Sequence, residues 1–429
     1  MPFGGIDVLQ FIKGFNLLIF AVFTVFYAYQ LFYVLVALWH DRKPRTMPQA
    51  KKLHKYAAVI SARNESAVIG ELVHSIKKQR YPAELLDVFV IADNCTDHTA
   101  DVARRAGAIV FERMNRTEVG KGYALDYAFE RIAEEFADAQ YEGYFIFDAD
   151  NLLAPDYVSE MNRVFDSGYR VVTSYRNSKN FDSNWISAGS ALWFLREAKF
   201  LNHSRMILGT NCAVSGTGFL VSSDVIHERG GWKYHLLTED IQFSIDCAIE
   251  HERVGYCPTA VFYDEQPVTF EQSWNQRLRW SKGFYQVFTR YGRKLMSGIL
   301  KRHSFSCYDM LMTIAPAMLL TMASVAVNAF FFISAMLSTP VALPILHLTF
   351  SSIVSSFAGF YLTLLFFGMA TTITEWRSIN TTAGRKILYT FTFPIFIFTY
   401  IPIAIVALFC KIEWKPIAHT ISKSIEEFQ

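Results

Sequence analysis

Charged residues are scarce in this sequence. Asp, Glu, Lys and Arg make up 19% of its 429 residues, whereas about 25% is usual for soluble domains. This shortage excludes a disordered chain, and a formal net charge of only +2 argues against nucleic acid as a partner. The six cysteines are scattered, with no CxxC pair and no metal-ligand spacing, so we interpret them as reduced core residues.

Charge is missing above all from three blocks of the chain. Residues 14–39 and 387–410 contain no Asp, Glu, Lys or Arg, and residues 308–374 contain only Asp309. A helix needs roughly 20 apolar residues to cross the hydrocarbon core of a membrane. The first and last blocks therefore fit one span each and the middle block fits two, with a turn at residues 338–344, which gives four predicted spans.

Lys and Arg near the span ends predict the orientation, because cytoplasmic loops are enriched in them. Six basic residues follow the first block: Arg42, Lys43, Arg45, Lys51, Lys52 and Lys55. We therefore expect a multi-pass protein of the cell (plasma) membrane, in contact with membrane lipids. The expected units are a transmembrane helix at 1–40, a cytoplasmic domain at 41–300 with interfacial helices at 185–200 and 285–300, and about three transmembrane helices with a short tail at 301–429.

Four spans conflict with the basic character of the C-terminal tail. Four crossings would place the tail outside, yet it carries Lys411, Lys415 and Lys423, which favour the cytoplasm. Residues 387–410 contain Pro394 and Pro402, so this block is the candidate for a re-entrant segment in place of a full span. Both alternatives stay open at the level of sequence.

Between the first two apolar blocks, strand and helix patterns alternate. The sequence predicts strands at 57–61, 88–92, 108–111 and 144–147 and helices at 65–79, 97–106 and 122–136. This alternation is typical of an α/β domain whose mostly parallel sheet is covered by helices on both faces. Ligands bind at the carboxyl ends of such strands, where this chain has polar turns at 61–65, 93–94 and 148–150. The sequence has no GxGxxG after the first strand and no GxxxxGK(S/T), which argues against a dehydrogenase and a P-loop NTPase.

Asp148 and Asp150 form a D-x-D pair at the end of a predicted strand. Two hard oxygen ligands about one pleat apart suit Mg²⁺ or Mn²⁺, which would neutralise a diphosphate. The alternative is an ordinary turn in which the aspartates cap the next helix.

Two later motifs add a candidate base and a candidate anion site. The T-E-D sequence at 238–240 precedes a helical pattern, which places Asp240 either as a general base for an acceptor hydroxyl or simply as a helix cap. The Q-R-L-R-W sequence at 276–280 puts two arginines and an indole within four residues, a set that suits a diphosphate and a sugar ring. An amphipathic surface helix with solvated arginines is the alternative.

These motifs together carry a family pattern. In order, the strand-end Asp93, the D-x-D pair, T-E-D and Q-x-x-R-W resemble the motifs of membrane-integrated family 2 glycosyltransferases, the group of cellulose, hyaluronan, chitin and poly-N-acetylglucosamine synthases. The resemblance covers about residues 57–290 by motif and the flanking spans by architecture. It implies a nucleotide-sugar transferase domain of the GT-A fold beside an α-helical transmembrane region.

The resemblance also implies a role for each motif residue. Asp240 would be the catalytic base with Glu239 beside it, and Asp150 and Asp148 would hold Mg²⁺ or Mn²⁺. The acceptor would contact Gly216, Thr217 and Trp280. The nucleotide-sugar would be held by nine residues: Ala62, Asn64, Glu65, Asp93, Lys121, Asp148, Asp150, Gln276 and Arg279.

The implied reaction is an inverting transfer of a hexose or N-acetylhexosamine from a UDP-sugar to an acceptor hydroxyl at the cytoplasmic membrane face. The expected enzyme is a processive synthase that extends a β-linked glycan. A single transfer to a lipid-linked acceptor is the alternative. It stays open because one predicted span before the domain and about three after it are fewer than a cellulose synthase has, and because no FxVTxK motif is evident.

Overall fold

The computed structural model describes residues 7–41, 49–315, 317–338, 342–412, 419 and 421–428. Part of the basic cluster after the first span (Arg42, Lys43 and Arg45), Lys415 of the tail and the centre of the predicted turn at 338–344 lie outside the described residues.

The described part of the chain contains eight strands and sixteen α-helices. The strands are β1 (Tyr56–Ala62), β2 (Leu86–Asp93), β3 (Ile109–Arg113), β4 (Gly143–Asp148), β5 (Leu152–Leu153), β6 (Val171–Ser178), β7 (Phe219–Ser222) and β8 (Val254–Asp264). The helices are α1 (Val8–Tyr27), α2 (Tyr29–Asp41), α3 (Ile69–Lys77), α4 (Thr99–Arg105), α5 (Lys121–Glu135), α6 (Tyr157–Asp166), α7 (Trp185–Arg196), α8 (His203–Leu208), α9 (Ser223–Glu228), α10 (Glu239–Ile249), α11 (Phe270–Arg302), α12 (Phe305–Ile314), α13 (Ala317–Leu337), α14 (Leu343–Thr374), α15 (Ala383–Phe398) and α16 (Tyr400–Phe409).

All eight strands belong to one mixed sheet, in the order β3-β2-β1-β4-β7-β6-β8-β5. The strands β3, β2, β1 and β4 run parallel, β7 runs antiparallel to both β4 and β6, and β8 runs parallel to β6. Six strands therefore point the same way, and their carboxyl ends share one edge of the sheet. That edge carries Asp93, Asp148 and Asp264, the last residues of β2, β4 and β8.

The central strands are apolar along their whole length because helices cover both faces of the sheet. One face packs on apolar side chains of α3, α4 and α6, and the other on those of α5, α7 and α10. The predicted α/β alternation is thus confirmed, and each predicted strand begins and ends within two residues of the observed one. The second half of the sheet, β6 to β8, was not predicted.

Apolar helices flank this domain. Three helical stretches are long and apolar enough to cross a membrane, namely Val8–Asp41, Leu343–Thr374 and Ala383–Phe409, and Met322–Leu337 in α13 is a shorter apolar helix. Three helices meet through polar side chains: Asn16 of α1 donates to Asn328 of α13 (3.1 Å) and to Ser352 of α14 (3.0 Å). Such hydrogen bonds hold helices together where no water competes for them.

The last apolar stretch, α15 with α16, lies against the α/β domain from end to end. Arg385 near its start is 3.3 Å from Asp182, and Lys282 of α11 donates to the carbonyl of Ala407 near its end (3.0 Å). In its middle, Phe396 packs so closely on Gly189 of α7 that a Cβ there would lie 2.4 Å from the ring. Helices α14 and α2 also contact α7 and α8 of this domain, so this packing is compatible with a span as well as with a re-entrant segment.

The predicted interfacial helices differ from each other in the structure. Residues 185–200 include α7, which is buried along nearly its whole length between the sheet and α15. Residues 285–300 are the second half of α11, a continuous helix of 33 residues that runs past the predicted domain boundary at 300. The position of either helix relative to lipid headgroups stays a prediction.

The C-terminal tail returns to the α/β domain. Ile425 is buried, Phe428 stacks on Tyr263 of β8 with ring centroids 4.6 Å apart, and Glu426 pairs with Lys78 at 2.7 Å. Because Lys423 also donates to the carbonyl of Lys179 (3.0 Å), the tail and this domain share one side of the molecule.

Candidate active site

A cavity of about 430 Å³ opens at the shared carboxyl edge of the strands. Its walls come from the ends of β1, β2, β4 and β8, the first turn of α10 and one face of α11, and it extends to α12, α15 and α16. Most of the site residues predicted from the sequence line this cavity: Ala62, Glu65, Asp93, Lys121, Asp148, Asp150, Gly216, Glu239, Asp240, Gln276, Arg279 and Trp280. The fold thus brings together motifs that are up to 218 residues apart, as from Ala62 to Trp280.

Asp93 closes one end of the cavity. Its carboxylate is almost fully buried and pairs with Arg113, the last residue of β3, at 2.7 Å. Asn94 follows in the left-handed conformation (φ 53°) and donates to the same carboxylate (3.1 Å). The carboxylate is therefore held in one orientation at the end of its strand.

Two of the predicted site residues, Asn64 and Thr217, do not line the cavity. Asn64 is exposed and exchanges hydrogen bonds with the backbone and side chain of Thr96, so it holds the neighbouring turn in place. Thr217 is buried, accepts a hydrogen bond from the backbone of Asp148 (2.8 Å) and donates to Asn151. Its hydroxyl thus fixes the D-x-D turn, and its predicted contact with the acceptor stays a prediction.

Lys121 connects the D-x-D turn to the wall opposite. It forms an ion pair with Asp148 and donates to the carbonyl of Gly216 at 2.6 Å. Lys121 is the first residue of α5, so its backbone N–H also belongs to a helix start, where anions are favoured. The predicted basic residue near the nucleotide thus sits between the two acidic sites of the cavity.

Asp150 lies deeper than Asp148 and is buried. It accepts a hydrogen bond from the backbone N–H of Glu265 (2.8 Å), and the adjacent pair of Arg176 with Asp264 (2.7 Å) lies in the same wall. Although burial disfavours its charge, nearby His419, Lys179 and Arg176 and this hydrogen bond keep the pKa of Asp150 below its ordinary value. Asp150 is therefore a carboxylate at neutral pH.

The donor atoms fit a divalent ion that also binds substrate. Within the described residues, no three His, Cys, Asp or Glu side chains are gathered as a complete metal site. Mg²⁺ and its analogues commonly take one or two protein carboxylates and complete their coordination with phosphate oxygens and water. Asp148 and Asp150 supply that number of carboxylates at the predicted place.

His419 of the tail also faces this part of the cavity. Its Nδ1 lies 2.9 Å from Oε1 of Glu65, and the backbone N–H of Ile421 donates to Glu265 (2.9 Å). Burial alone would lower the pKa of His419, but the carboxylates of Asp150 and Glu65 outweigh it and raise this pKa to about 10. No sequence pattern pointed to this residue, because 354 positions separate it from Glu65.

Glu239 and Asp240 begin α10 and face the middle of the cavity. Burial raises the pKa of Asp240 to about 6, while the backbone N–H of Ile241 and the cations Lys121 and Arg279 act in the opposite direction. Burial and the charge of Asp240 raise the pKa of Glu239 to about 7. Perturbed carboxylates of this kind cluster at catalytic sites, and Asp240 can exchange a proton near neutral pH.

Helix α11 presents the Q-x-x-R-W residues one helical turn apart. Gln276, Arg279 and Trp280 line the cavity, and Trp280 meets Phe194 edge to face at 5.9 Å. Arg277 faces away: it is buried and donates to the carbonyl of Phe396 (3.2 Å) and to Thr399 (2.6 Å). Only Arg279 of the two arginines is thus placed for an anion, and Arg277 instead joins α11 to α15.

The far end of the cavity is apolar and aromatic. Its wall consists of Trp193, Phe194, Trp280, Phe284, Tyr285, Ile314, Ala315, Ile397, Tyr400 and Ala404. These residues belong to α7, α11 and the ends of the apolar helices. The cavity therefore changes from strongly polar at the strand ends to apolar where it approaches the candidate membrane segments.

Several lining residues were missed by the sequence analysis. Asp264 ends β8 as Asp93 ends β2, so a longer strand search would have found it. Arg176 and Glu197 carried no motif, and their place in the cavity depends on the unpredicted half of the sheet and on α7.

A family model described as "Glycosyltransferase like family 2" matches residues 54–283. Among curated proteins, the chain is 26% identical over 241 residues to beta-monoglucosyldiacylglycerol synthase of Synechocystis sp., which is 55% of this chain and 49% of that protein. It is 23% identical over 234 residues to poly-beta-1,6-N-acetyl-D-glucosamine synthase of Staphylococcus epidermidis, which is 54% of this chain and 55% of that protein. The matches thus span about half the length of these relatives.

One solved structure resembles almost the whole chain. It is a mannosyltransferase of Pyrobaculum calidifontis in complex with GDP-Man and Mn²⁺, with a TM-score of 0.54 and 18% identity over 92% of this chain and 99% of that one. At this identity the likeness shows the fold alone, and it agrees with the GT-A architecture described above.

Proposed function

The chain belongs to glycosyltransferase-like family 2. On that premise, we propose that it transfers one sugar from a nucleoside diphosphate sugar, namely a UDP-sugar, to a hydroxyl of a membrane-bound acceptor. The observation that carries the proposal is the meeting of three groups in one cavity. Asp240 is a carboxylate with a near-neutral pKa, Lys121 and Arg279 are cations placed for a diphosphate, and Asp148 with Asp150 suits a divalent ion.

The proposed reaction is a single displacement. Asp240 takes the proton of the acceptor hydroxyl while its oxygen bonds to the anomeric carbon of the donor sugar, and the bond from that carbon to the diphosphate breaks. The electron pair leaves with the nucleoside diphosphate, so the anomeric configuration inverts and no covalent enzyme intermediate forms. Lys121 and Arg279 stabilise the charge that develops on the leaving group.

A divalent ion, Mg²⁺ or Mn²⁺, would be held by Asp150 and Asp148 and would neutralise the diphosphate as a Lewis acid. Asp93 and the 62–65 turn would hold the base of the nucleotide at the other end of the cavity. This assignment leaves the middle of the cavity, between Asp240 and Trp280, for the acceptor.

The apolar far end supports a lipid acceptor. Ile314, Ala315 and Ile397 offer contacts to an acyl chain but no hydrogen bonds to a glycan. We therefore propose a single transfer as the first candidate function and processive synthesis as the second.

Processive glycan synthesis is the second candidate, and the aromatic lining favours it. The cavity is lined by the rings of Trp193, Phe194, Trp280 and Tyr400, and aromatic rings provide apolar faces on which sugars can stack. The product distinguishes the two candidates, because one is a small glycolipid and the other a polymer.

The test is donor turnover by the full chain in membranes. Membrane vesicles would be incubated with UDP-glucose or UDP-N-acetylglucosamine, with Mn²⁺, Mg²⁺ or EDTA. We expect UDP release that depends on the metal and a labelled product that organic solvent extracts with the lipids. A labelled polymer of high mass would favour processive synthesis over the single transfer. A wild-type rate equal to that of the Asp240→Asn variant with every donor would contradict both candidates.

A further inference from the structure

The helix that begins at Trp185 changes its winding beside the cavity. It is α-helical to Arg196, forms a π-helix at Glu197–Asn202 and is α-helical again from His203. The C-terminal end of the π-segment is fixed, since Asn202 bonds both backbone groups of Ala213 (3.0 Å each) and Arg205, in the turn that follows, pairs with Asp309. A π-segment is rare and often marks a functional position, and here its first residue, Glu197, lines the cavity.

The Glu197 carboxylate makes few direct contacts. Ser215 donates a hydrogen bond to Oε1, and within the described residues it is the one hydrogen-bond or ion-pair partner of this carboxylate. Arg196 interacts with Glu197 electrostatically but donates its hydrogen bond to Gln30 (2.6 Å), and Lys199 pairs with Asp41 (2.8 Å). A half-buried carboxylate oxygen that accepts no hydrogen bond from a cation gains from any hydroxyl that enters the cavity and donates to it.

Glu197 lies next to the base along the cavity wall. The residue after Ser215 is Gly216, which adopts φ +83°, and a Cβ on it would lie 3.6 Å from Oδ2 of Asp240. Ser215 thus contacts Glu197, and the next residue, Gly216, lies beside Asp240. Trp280 and Phe194, with ring centroids 5.9 Å apart, flank the same part of the cavity.

From this arrangement we propose that Glu197 binds a second hydroxyl of the acceptor, so that the acceptor group is a sugar or another polyol rather than a lone alcohol. The inference rests on the proposed function, in which Asp240 takes the proton of the attacking hydroxyl. That hydroxyl is engaged by Asp240, so Glu197 needs a separate one. The aromatic rings fit the apolar face of a sugar, and the apolar end of the cavity fits a chain attached to it.

Two soluble acceptor probes distinguish the contribution of the hydroxyls to recognition from that of the alkyl chain. Hexyl β-D-glucoside and hexan-1-ol share the same chain, and the glucoside alone offers several hydroxyls. The full chain in lipid vesicles would be given the donor that supports turnover, with each probe below the concentration that perturbs the membrane. Glu197→Gln is the variant, and Glu130→Gln, on the exposed face of α5, is the matched control.

We expect the wild-type protein to transfer sugar to the glucoside in preference to the alcohol. Loss of a hydrogen bond to a charged group typically weakens binding tenfold to about a hundredfold, so Glu197→Gln should raise the KM for the glucoside by about that factor. The Glu130→Gln protein should match the wild type. A preference for hexan-1-ol, an unchanged KM for the glucoside, or an equal rise in the KM for the donor would overturn the inference.

Binding gives a readout that does not depend on turnover. Trp193 and Trp280 line the cavity, so titration with the glucoside should change tryptophan fluorescence with saturation, and Glu197→Gln should shift the dissociation constant by the same factor. Absence of saturable binding to the wild-type protein would overturn the inference even when donor turnover is normal. Absence of donor turnover with normal, Glu197-dependent glucoside binding would instead contradict the proposed function alone.

Discussion

Asp240 and Glu239 are adjacent, yet their surroundings differ, and we predict different roles for them. Asp240 faces Gly216 and the open cavity and gains from the backbone N–H of Ile241, whereas Glu239 is more deeply buried. A base has to reach the acceptor hydroxyl directly. The geometry thus favours Asp240 as the base. Glu239 is then a neighbouring carboxyl group whose pKa is raised in part by the charge of Asp240.

Replacing Asp240 by Asn removes the base without changing its size. Because general-base catalysis contributes roughly 10²–10⁴-fold, we expect kcat to fall by about that factor while the donor still binds. Donor turnover and nucleotide affinity, measured on the same membranes, check both halves of this prediction. The matched Glu239→Gln variant should lose less, and a larger loss there would reverse the two assignments.

The rate of transfer should depend on pH near neutrality. Asp240 must be ionised to accept a proton, and its pKa is raised to about 6, whereas an ordinary Asp titrates near 4. As pH falls through about 6, the carboxylate becomes protonated, and kcat/KM for the acceptor should fall about tenfold for each further pH unit. A rate profile between pH 4.5 and 8 measures this, and a profile that stays flat down to pH 5 would rule out Asp240 as the titrating base.

Asp309, the one charged residue of its apolar block, forms a buried ion pair. Arg205 contacts both its oxygens (2.7 and 2.9 Å), and Tyr33 and Tyr29 donate to them at 2.7 and 3.0 Å. The pair links α8 and α12 to the first apolar helix, and both charged side chains are almost fully buried.

Breaking a buried pair leaves one charge without compensation, which costs about 3–5 kcal/mol. We expect Asp309→Ala to lower the unfolding temperature in detergent strongly. The double variant Arg205→Met with Asp309→Leu should be more stable than either single variant, because it leaves no unpaired charge. Equal losses in the single and double variants would show that the pair acts only through packing.

At the scale of elements, prediction from sequence worked where local patterns suffice. The first four parallel strands and their helices followed from short apolar runs and amphipathic spacing, and their polar ends located Asp93 and Asp148. β6 to β8 were missed because residues 57–148 share a regular alternation of strand and helix that residues 152–264 lack. The two-residue β5 and the antiparallel β7 interrupt it there. The π-segment at Glu197 was equally invisible, since no Pro or Gly marks it.

The tail shows the other limit of prediction. His419 contacts Glu65, and residues 421–428 contact Lys78 just after α3, Lys179 just after β6 and Tyr263 of β8. No local pattern encodes such long-range contacts. Phe428 and Ile425 supply the apolar part of this packing, and the pair of Glu426 with Lys78 is exposed.

Phe428→Ala should therefore weaken donor binding from a distance. Loss of the stacking on Tyr263 loosens the segment that holds His419 beside Glu65, and a lost charged hydrogen bond is worth roughly tenfold in affinity. We expect the donor KM to rise by about that factor with kcat little changed. Glu426→Gln is the control, because exposed pairs contribute at most about 1 kcal/mol, and a larger effect there than in Phe428→Ala would contradict the explanation.

At the scale of the whole molecule, the tail and the last apolar stretch lead to a prediction of the topology. Residues 383–409, which contain α15 and α16, number 27, about 40 Å as a continuous helix at 1.5 Å per residue, which is long enough to cross. They also contact Asp182, Gly189 and Lys282. We predict that they do not cross and that the three crossings are α1 with α2, α13 and α14, which places the tail on the side of the α/β domain and the N-terminus on the other.

This arrangement removes the conflict that the basic tail posed for four spans, and it is open to direct labelling. Single cysteines at Asp7, Ser422 and Glu130, all exposed, would be introduced into a background in which Cys95 and Cys410 are serine. A membrane-impermeant maleimide should label Asp7→Cys in intact cells, whereas Ser422→Cys and Glu130→Cys should react only after permeabilisation. Labelling of Ser422→Cys in intact cells, with Glu130→Cys protected, would require a fourth crossing and would mean that the tail cannot reach Glu65 in the membrane.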